Sequence, residues 1–228
     1  MKRRLSLCLL FHVQFAFLAC AQQASEQDSS SDTKVACVGD SITFGAAIAD
    51  RKTHNYPTQL DRLLGKGYSV RNFGVNSATL LKEGNRPYWK TKQFGEATEW
   101  QPDIVVIKLG TNDTKPGNWK HKDKVAGDLK SMITAFRSLP SKPEVFVCLP
   151  VPAFPDRWGI RDSVIKGELI PILRSVAEEQ KCPVIDLYAA LEGKAELFPD
   201  RIHPNKDGAK LIAETVHGAL EKEAAHPN

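Results

Sequence analysis

Between Asp103 and Lys108 the chain reads Ile-Val-Val-Ile, four β-branched residues with nothing polar among them. A strand with one wet face alternates apolar and polar residues. A run that does not alternate suits a strand covered on both faces, and so a parallel sheet roofed by helices. The rest of the chain supplies that setting. Residues 35–38, 68–73, 145–149 and 184–187 read as further short strands beside the central one at 103–109. Between them apolar residues return at helical spacing: Tyr56, Leu60, Leu63 and Leu64; Val125, Leu129, Met132, Ile133 and Phe136; Ile165, Leu169, Ile172, Leu173, Val176 and Ala177; and Ala209, Ile212, Ala213, Val216 and Leu220. Pro171 predicts a kink or a late start in the third of these helices, and Asn205 or Asp207 caps the last. Residues 77–100 carry the weakest pattern. There Ala78, Leu80 and Leu81 predict the start of a short helix, and Gly84 to Trp89 a surface loop. The alternation predicts a single α/β domain over residues 34–223, a three-layer α/β/α sandwich on a five-stranded parallel sheet.

The first nineteen residues stand apart. Lys2, Arg3 and Arg4 form a positive head, and residues 5–19 are apolar apart from Ser6, His12 and Gln14. The stretch is too short and interrupted for a membrane span and has the size of a secretory signal. It ends in Phe17-Leu18-Ala19-Cys20, which resembles a bacterial lipoprotein signal with Cys20 as the lipidated residue, although Phe17 stands where leucine is usual. Cleavage among the small residues Ala19-Cys20-Ala21 is the other route. The first route makes the protein a periplasmic or cell-envelope lipoprotein that meets the membrane only through its anchor; the second makes it a soluble secreted one. Residues 20–33 are polar and Ser-rich, as a flexible tether is, and residues 224–228 read as a tail.

Charge and cysteine usage narrow the function. Of 31 basic residues three lie in the leader, and the other 28 face 27 acidic ones, a balance that argues against a nucleic-acid partner. Cys8 belongs to the leader. Of the remaining Cys37, Cys148 and Cys182, the first two sit inside strand candidates and are expected as buried free thiols, with a disulfide formed after export as the alternative. No Cys-x-x-Cys spacing points to structural zinc.

The chemistry gathers at the ends of the predicted strands. Gly39-Asp40-Ser41 follows the first, Gly74 the second, and Gly110-Thr111-Asn112-Asp113 the third; Asp200-Arg201-Ile202-His203-Pro204 comes after the fifth. In a parallel sheet all of these lie along one edge, where open α/β sheets hold their ligands. Asp200 and His203 are three positions apart, so the carboxylate can hold Nδ1 and leave Nε2 to take a proton from a serine.

Taken together and in order, these motifs resemble those of the SGNH hydrolases, also called the GDSL family, across essentially the whole domain. Ile42 stands where that family usually has leucine. The resemblance implies a flavodoxin-like sheet and a serine esterase working through an acyl-enzyme. It implies Ser41 as nucleophile, His203 as general base and acid, and Asp200 as its orienting partner. It also implies an oxyanion hole from the Ser41 and Gly74 N–H groups and the Asn112 carboxamide, with no metal or cofactor. Asp40 and Asp113 are expected to hold turns through backbone N–H groups.

Residues 111–119 resemble the extended third motif of relatives found beside bacterial carbohydrate-degrading enzymes, many of them carbohydrate O-acetylesterases. An acetylated carbohydrate is therefore the expected substrate. Tyr88, Trp89, Trp119 and Trp158 fall in predicted loops and are the aromatic residues available to stack on a sugar ring. A lysophospholipase or thioesterase acting on long acyl chains is the alternative. Outside the class stand a tethered sugar-binding protein with an inert site and a metal-dependent hydrolase ligated by Asp40, Asp113, Asp200 and His203.

Overall fold

The branched run forms the middle strand of the sheet. The computed structural model describes residues 32–225, so the expected leader, Cys20 and most of the tether lie outside the described residues. The elements in chain order are β1 (Thr33–Gly39), α1 (Ser41–Phe44), α2 (Arg51–His54), α3 (Tyr56–Leu64), β2 (Tyr68–Gly74), α4 (Lys92–Glu99), β3 (Ile104–Lys108), α5 (Pro116–Trp119), α6 (Val125–Arg137), β4 (Glu144–Leu149), α7 (Asp162–Val164), α8 (Ile170–Glu179), β5 (Val184–Asp186), α9 (Leu187–Leu191) and α10 (Lys206–Ala225). Thr33, read as tether, opens β1, its N–H donating to the Gly67 carbonyl.

All pairings in the five-stranded sheet are parallel, in the order β2-β1-β3-β4-β5. Successive side chains of a strand face opposite ways, and the core divides accordingly. Ala36, Val38, Val105, Ile107, Val145 and Val147 pack beneath α4, α6 and α8. Val35, Cys37, Val106, Phe146, Cys148 and Ile185 pack beneath α3, α9 and α10. The sandwich therefore has three layers, and β3 is covered on both sides. The strand order reverses between β1 and β3, and that switch point is where this topology opens a crevice.

Two helices follow local chemistry closely. Pro171 has no N–H, and its ring crowds the carbonyl four residues back. The chain answers with a π-turn over Ile165–Leu169, and α8 begins with Pro171 in its first turn. Asn205 caps α10, its Oδ1 accepting from the Asp207 and Gly208 N–H groups.

Residues 77–100 differ from expectation. No helix starts at Ala78. The backbone there runs through turns, and Thr79 pairs with Pro87. The Leu80 and Leu81 N–H groups donate to the Asp113 carboxylate at 3.1 and 2.8 Å, so a distant side chain sets the conformation that a local helix was expected to set. The helix of this region is α4, capped by the Thr91 hydroxyl at the Phe94 N–H. Leu63 is exposed rather than part of the α3 face. Cys37, Cys148 and Cys182 are free and buried; burial pushes the Cys148 thiol up to about 12.

Phe136 is fully buried in α6 against the Phe94 ring, edge to face at 5.8 Å. Phe136→Ala removes that aromatic volume and leaves a cavity, and is expected to cost about 3–5 kcal/mol in urea-induced unfolding. A change below about 1 kcal/mol would contradict this packing.

Candidate active site

At the ends of β1 and β3, flanking the switch point, the chain builds two turns around one buried cation. Lys108 and Asp40 are both 0% exposed. The Lys108 ammonium donates to the Asp40 carboxylate at 3.1 and 3.0 Å and to the Thr111 hydroxyl at 2.9 Å. Asp40 Oδ1 also accepts from the Ile42 N–H at 2.9 Å and so caps α1. Gly45, left-handed at φ 87°, ends that single turn. Ser41 is thereby fixed as the first residue of a helix, and its own N–H has no acceptor available within the helix.

His203 arrives from the segment between α9 and α10. Its Nε2 lies 2.8 Å from Ser41 Oγ, and its Nδ1 2.7 Å from Asp200 Oδ2. A carboxylate only accepts, so Nδ1 carries the proton and Nε2 is the acceptor for the serine hydroxyl. Asp200 Oδ1 accepts from the Ile202 and His203 N–H groups at 3.0 and 2.7 Å. Burial alone would raise the Asp200 carboxyl. The His203 N–H, the imidazole and the Ile202 N–H outweigh it and hold the group below the ordinary carboxylate range.

These groups open into a cavity of about 310 Å³ lined by Ser41, Asn112, Trp158 and His203 together with Asn76, Ser77, Lys115 and two apolar side chains. One N–H of the Asn112 carboxamide donates to the Ala78 carbonyl at 3.1 Å, which leaves the other for the cavity. Asn118 braces the same loop, donating to the Asn112 carbonyl at 2.8 Å and to Asn85 Oδ1 at 3.0 Å.

Gly74 does not fit the role expected of it. Its N–H donates to Asn72 Oδ1 at 2.9 Å, and it lines a different hollow. A Cβ there would lie 2.1 Å from the Phe44 nitrogen, so glycine is required for α1 to rest against β2. From this loop Asn76 and Ser77 line the cavity, Ser77 at φ 61° in the left-handed region. Among the described residues nothing accepts from the Ser77 N–H. A serine three positions beyond the strand-ending glycine is the only trace in the sequence, because a positive φ at a non-glycine residue leaves no compositional mark.

Three of the four expected stacking residues are also corrected. Tyr88 is fully buried, its hydroxyl donating to the Phe73 carbonyl at 2.7 Å. Trp119 is buried and donates through Nε1 to Glu168. Trp89 donates to the Leu80 carbonyl and packs against Phe94. Trp158 differs: it is 54% exposed, and its ring lies 5.7 Å from that of His203 at the cavity mouth.

The metal-ligand set is overturned as well. Asp40 is spent on Lys108, and Asp113 lies buried on the Leu80 and Leu81 N–H groups. Burial pushes the Asp113 carboxyl up to about 6 despite those bonds.

Residues 37–211 match the GDSL-like Lipase/Acylhydrolase family, and the chain belongs to it. It is 40% identical over 206 residues to an acetylxylan esterase of Xylanibacter ruminicola, covering 82% of this chain and 43% of that protein. It is 22% identical to a multidomain esterase of Ruminococcus flavefaciens, covering 96% and 33%. The chain thus spans less than half the length of these curated relatives. Among solved structures, an acetylxylan esterase from Geobacillus stearothermophilus shares the fold, with TM-score 0.65 and 20% identity over 83% of this chain and 94% of that one.

Lys108→Met strands a buried carboxylate and is expected to cost about 3–5 kcal/mol in urea unfolding, whereas Lys108→Met with Asp40→Asn recovers part of that loss. Equal losses in both variants would show that the cation matters through its packing alone.

Proposed function

We propose that the chain is a serine esterase that removes acetyl groups from a carbohydrate. One observation carries the reading: an unbroken hydrogen-bond relay from Ser41 Oγ through His203 to Asp200, at 2.8 and 2.7 Å, opening into a cavity with uncommitted N–H donors. In this reading Ser41 Oγ attacks the acetyl carbonyl while His203 Nε2 takes the hydroxyl proton. Asp200 keeps the imidazole in the Nδ1–H form and stabilises the imidazolium. The developing oxyanion is received by the Ser41 N–H, the Asn112 carboxamide and the Ser77 N–H, the last in place of Gly74. Donors of this kind are each worth about 3–4 kcal/mol in acyl transfer. His203 then protonates the departing sugar hydroxyl. Water, activated by the same imidazole, attacks the acyl-enzyme and releases acetate.

The 40%-identical acetylxylan esterase supports the acetyl and carbohydrate parts of the proposal. The small cavity suits a short acyl group, and exposed Trp158 offers a ring face to a pyranose. The leader pattern adds export, with Cys20 as the lipid-bearing residue and residues 20–33 as the link to the catalytic domain.

Ser41→Ala is expected to lower p-nitrophenyl acetate hydrolysis by more than about 10⁴-fold with the melting temperature retained. The wild type should favour acetyl over octanoyl esters by about 10-fold or more in kcat/KM. A preference for octanoyl esters would instead support the long-chain acyl hydrolase. In bacterial cells, palmitate labelling is expected to be lost in Cys20→Ala; unchanged labelling would remove the anchor.

A further inference from the structure

Next to the catalytic cavity lies a second, larger hollow of about 610 Å³, within the size range of ligand sites. Buried Gly74 and Val75 and half-buried Phe44 line it together with the exposed Arg86, Lys90 and Lys92. The remaining lining residues are uncharged, so no carboxylate faces the three cations across the hollow. Asn76 lines both spaces, which makes them neighbours along one surface. Lys115 adds a fourth cationic side chain on the catalytic side of that seam.

These charges are not consumed within the protein. Among the described residues, Arg86 and Lys90 have no carboxylate within ion-pair distance. Lys92 pairs with Glu96 at 3.2 Å, but both side chains are exposed and Glu96 lies outside the hollow. An exposed pair of this kind is weak, so a ligand anion can compete for the ammonium. The mature domain is otherwise nearly balanced in charge, so a one-sign wall beside the reaction centre is a local feature of this surface. Clefts lined by one sign of charge concentrate ligands of the other.

We propose that this hollow is a subsite for an anionic sugar unit, one bearing a carboxylate or a sulfate, next to the acetylated unit held over Ser41. The preferred substrate is then an acidic acetylated glycan rather than a neutral one. The proposal deepens, and rests on, the reading of the chain as a carbohydrate O-acetylesterase. Arg86 grips the anion through its planar fork, whereas Lys90 and Lys92 act as point charges. The acetyl carbonyl is meanwhile handled by separate residues in the neighbouring cavity.

The test compares acetate release from acetylated xylo-oligosaccharides that are neutral, uronic acid-bearing or sulfated, each rate divided by the same enzyme's turnover of p-nitrophenyl acetate. The wild type is expected to favour an acidic substrate by about 10-fold in kcat/KM at low salt, with the advantage shrinking as ionic strength rises. The uronate and sulfate arms identify which anion is read. Combined Arg86→Gln, Lys90→Gln and Lys92→Gln should erase the preference. Calorimetric titration of Ser41→Ala with a non-acetylated uronic oligosaccharide and its neutral counterpart supplies a readout that needs no turnover. Binding of the acidic ligand alone is expected. Equal kcat/KM for neutral and acidic substrates, or a preference that survives in the triple variant, would overturn the subsite and leave the esterase standing. Turnover of p-nitrophenyl acetate with no acetate released from any oligosaccharide would overturn the carbohydrate reading. In that case the titration alone decides the subsite.

Discussion

A single ammonium with no access to water holds together the two turns on which the candidate site stands. Lys108 projects from the end of β3 onto the carboxylate that follows β1 and onto Thr111 in the turn that follows β3 itself. The proposed nucleophile and the proposed carboxamide donor therefore share one buried anchor. Removing two charges from water is expensive, and such a pair is weak evidence for stability. What it supplies is definition, because each turn has one arrangement that leaves no charge unmatched. The surrounding packing enforces the same arrangement: a Cβ on Gly39 would fall 2.0 Å from the Thr43 hydroxyl and 2.7 Å from the Lys108 carbonyl.

The layers of the fold were readable because they rest on local patterns. The run at 104–107 alternates its residues between two covered faces, and the apolar spacing in α6 and α10 marks the faces they bury. Local pattern is silent where a remote group decides the conformation. Leu80 and Leu81 look like a helix start, but Asp113, more than thirty residues on, claims their N–H groups. In α4 the sequence Lys-Gln-Phe-Gly-Glu-Ala-Thr-Glu gives too few apolar positions for a periodicity to show. Tyr88 and Trp119 sit among turn-forming residues, and nothing local says that their rings point inward.

The candidate site divides in the same way. The Ser41, Asp200 and His203 positions follow from short motifs at strand ends, and the structure brings these side chains within hydrogen-bond reach. For the second loop the sequence points to Gly74 and the proposed donor is Ser77, because a glycine ending a strand looks like a site of close backbone approach. Gly74 is such a site, but what approaches it is α1. Lys108 was hidden for a different reason. A lysine ending an apolar run reads as the point where a strand meets solvent, and its partner lies 68 residues earlier.

The imidazole and its carboxylate sit on one corner of four residues, pinned to each other by a side-chain bond and by the His203 N–H. Their mutual geometry, and with it the tautomer of the ring, is set inside that corner. The contact to Ser41 depends instead on the tertiary fold, its two ends lying 162 residues apart along the chain. Orientation of the ring is thus a local matter, and its aim at the serine a global one.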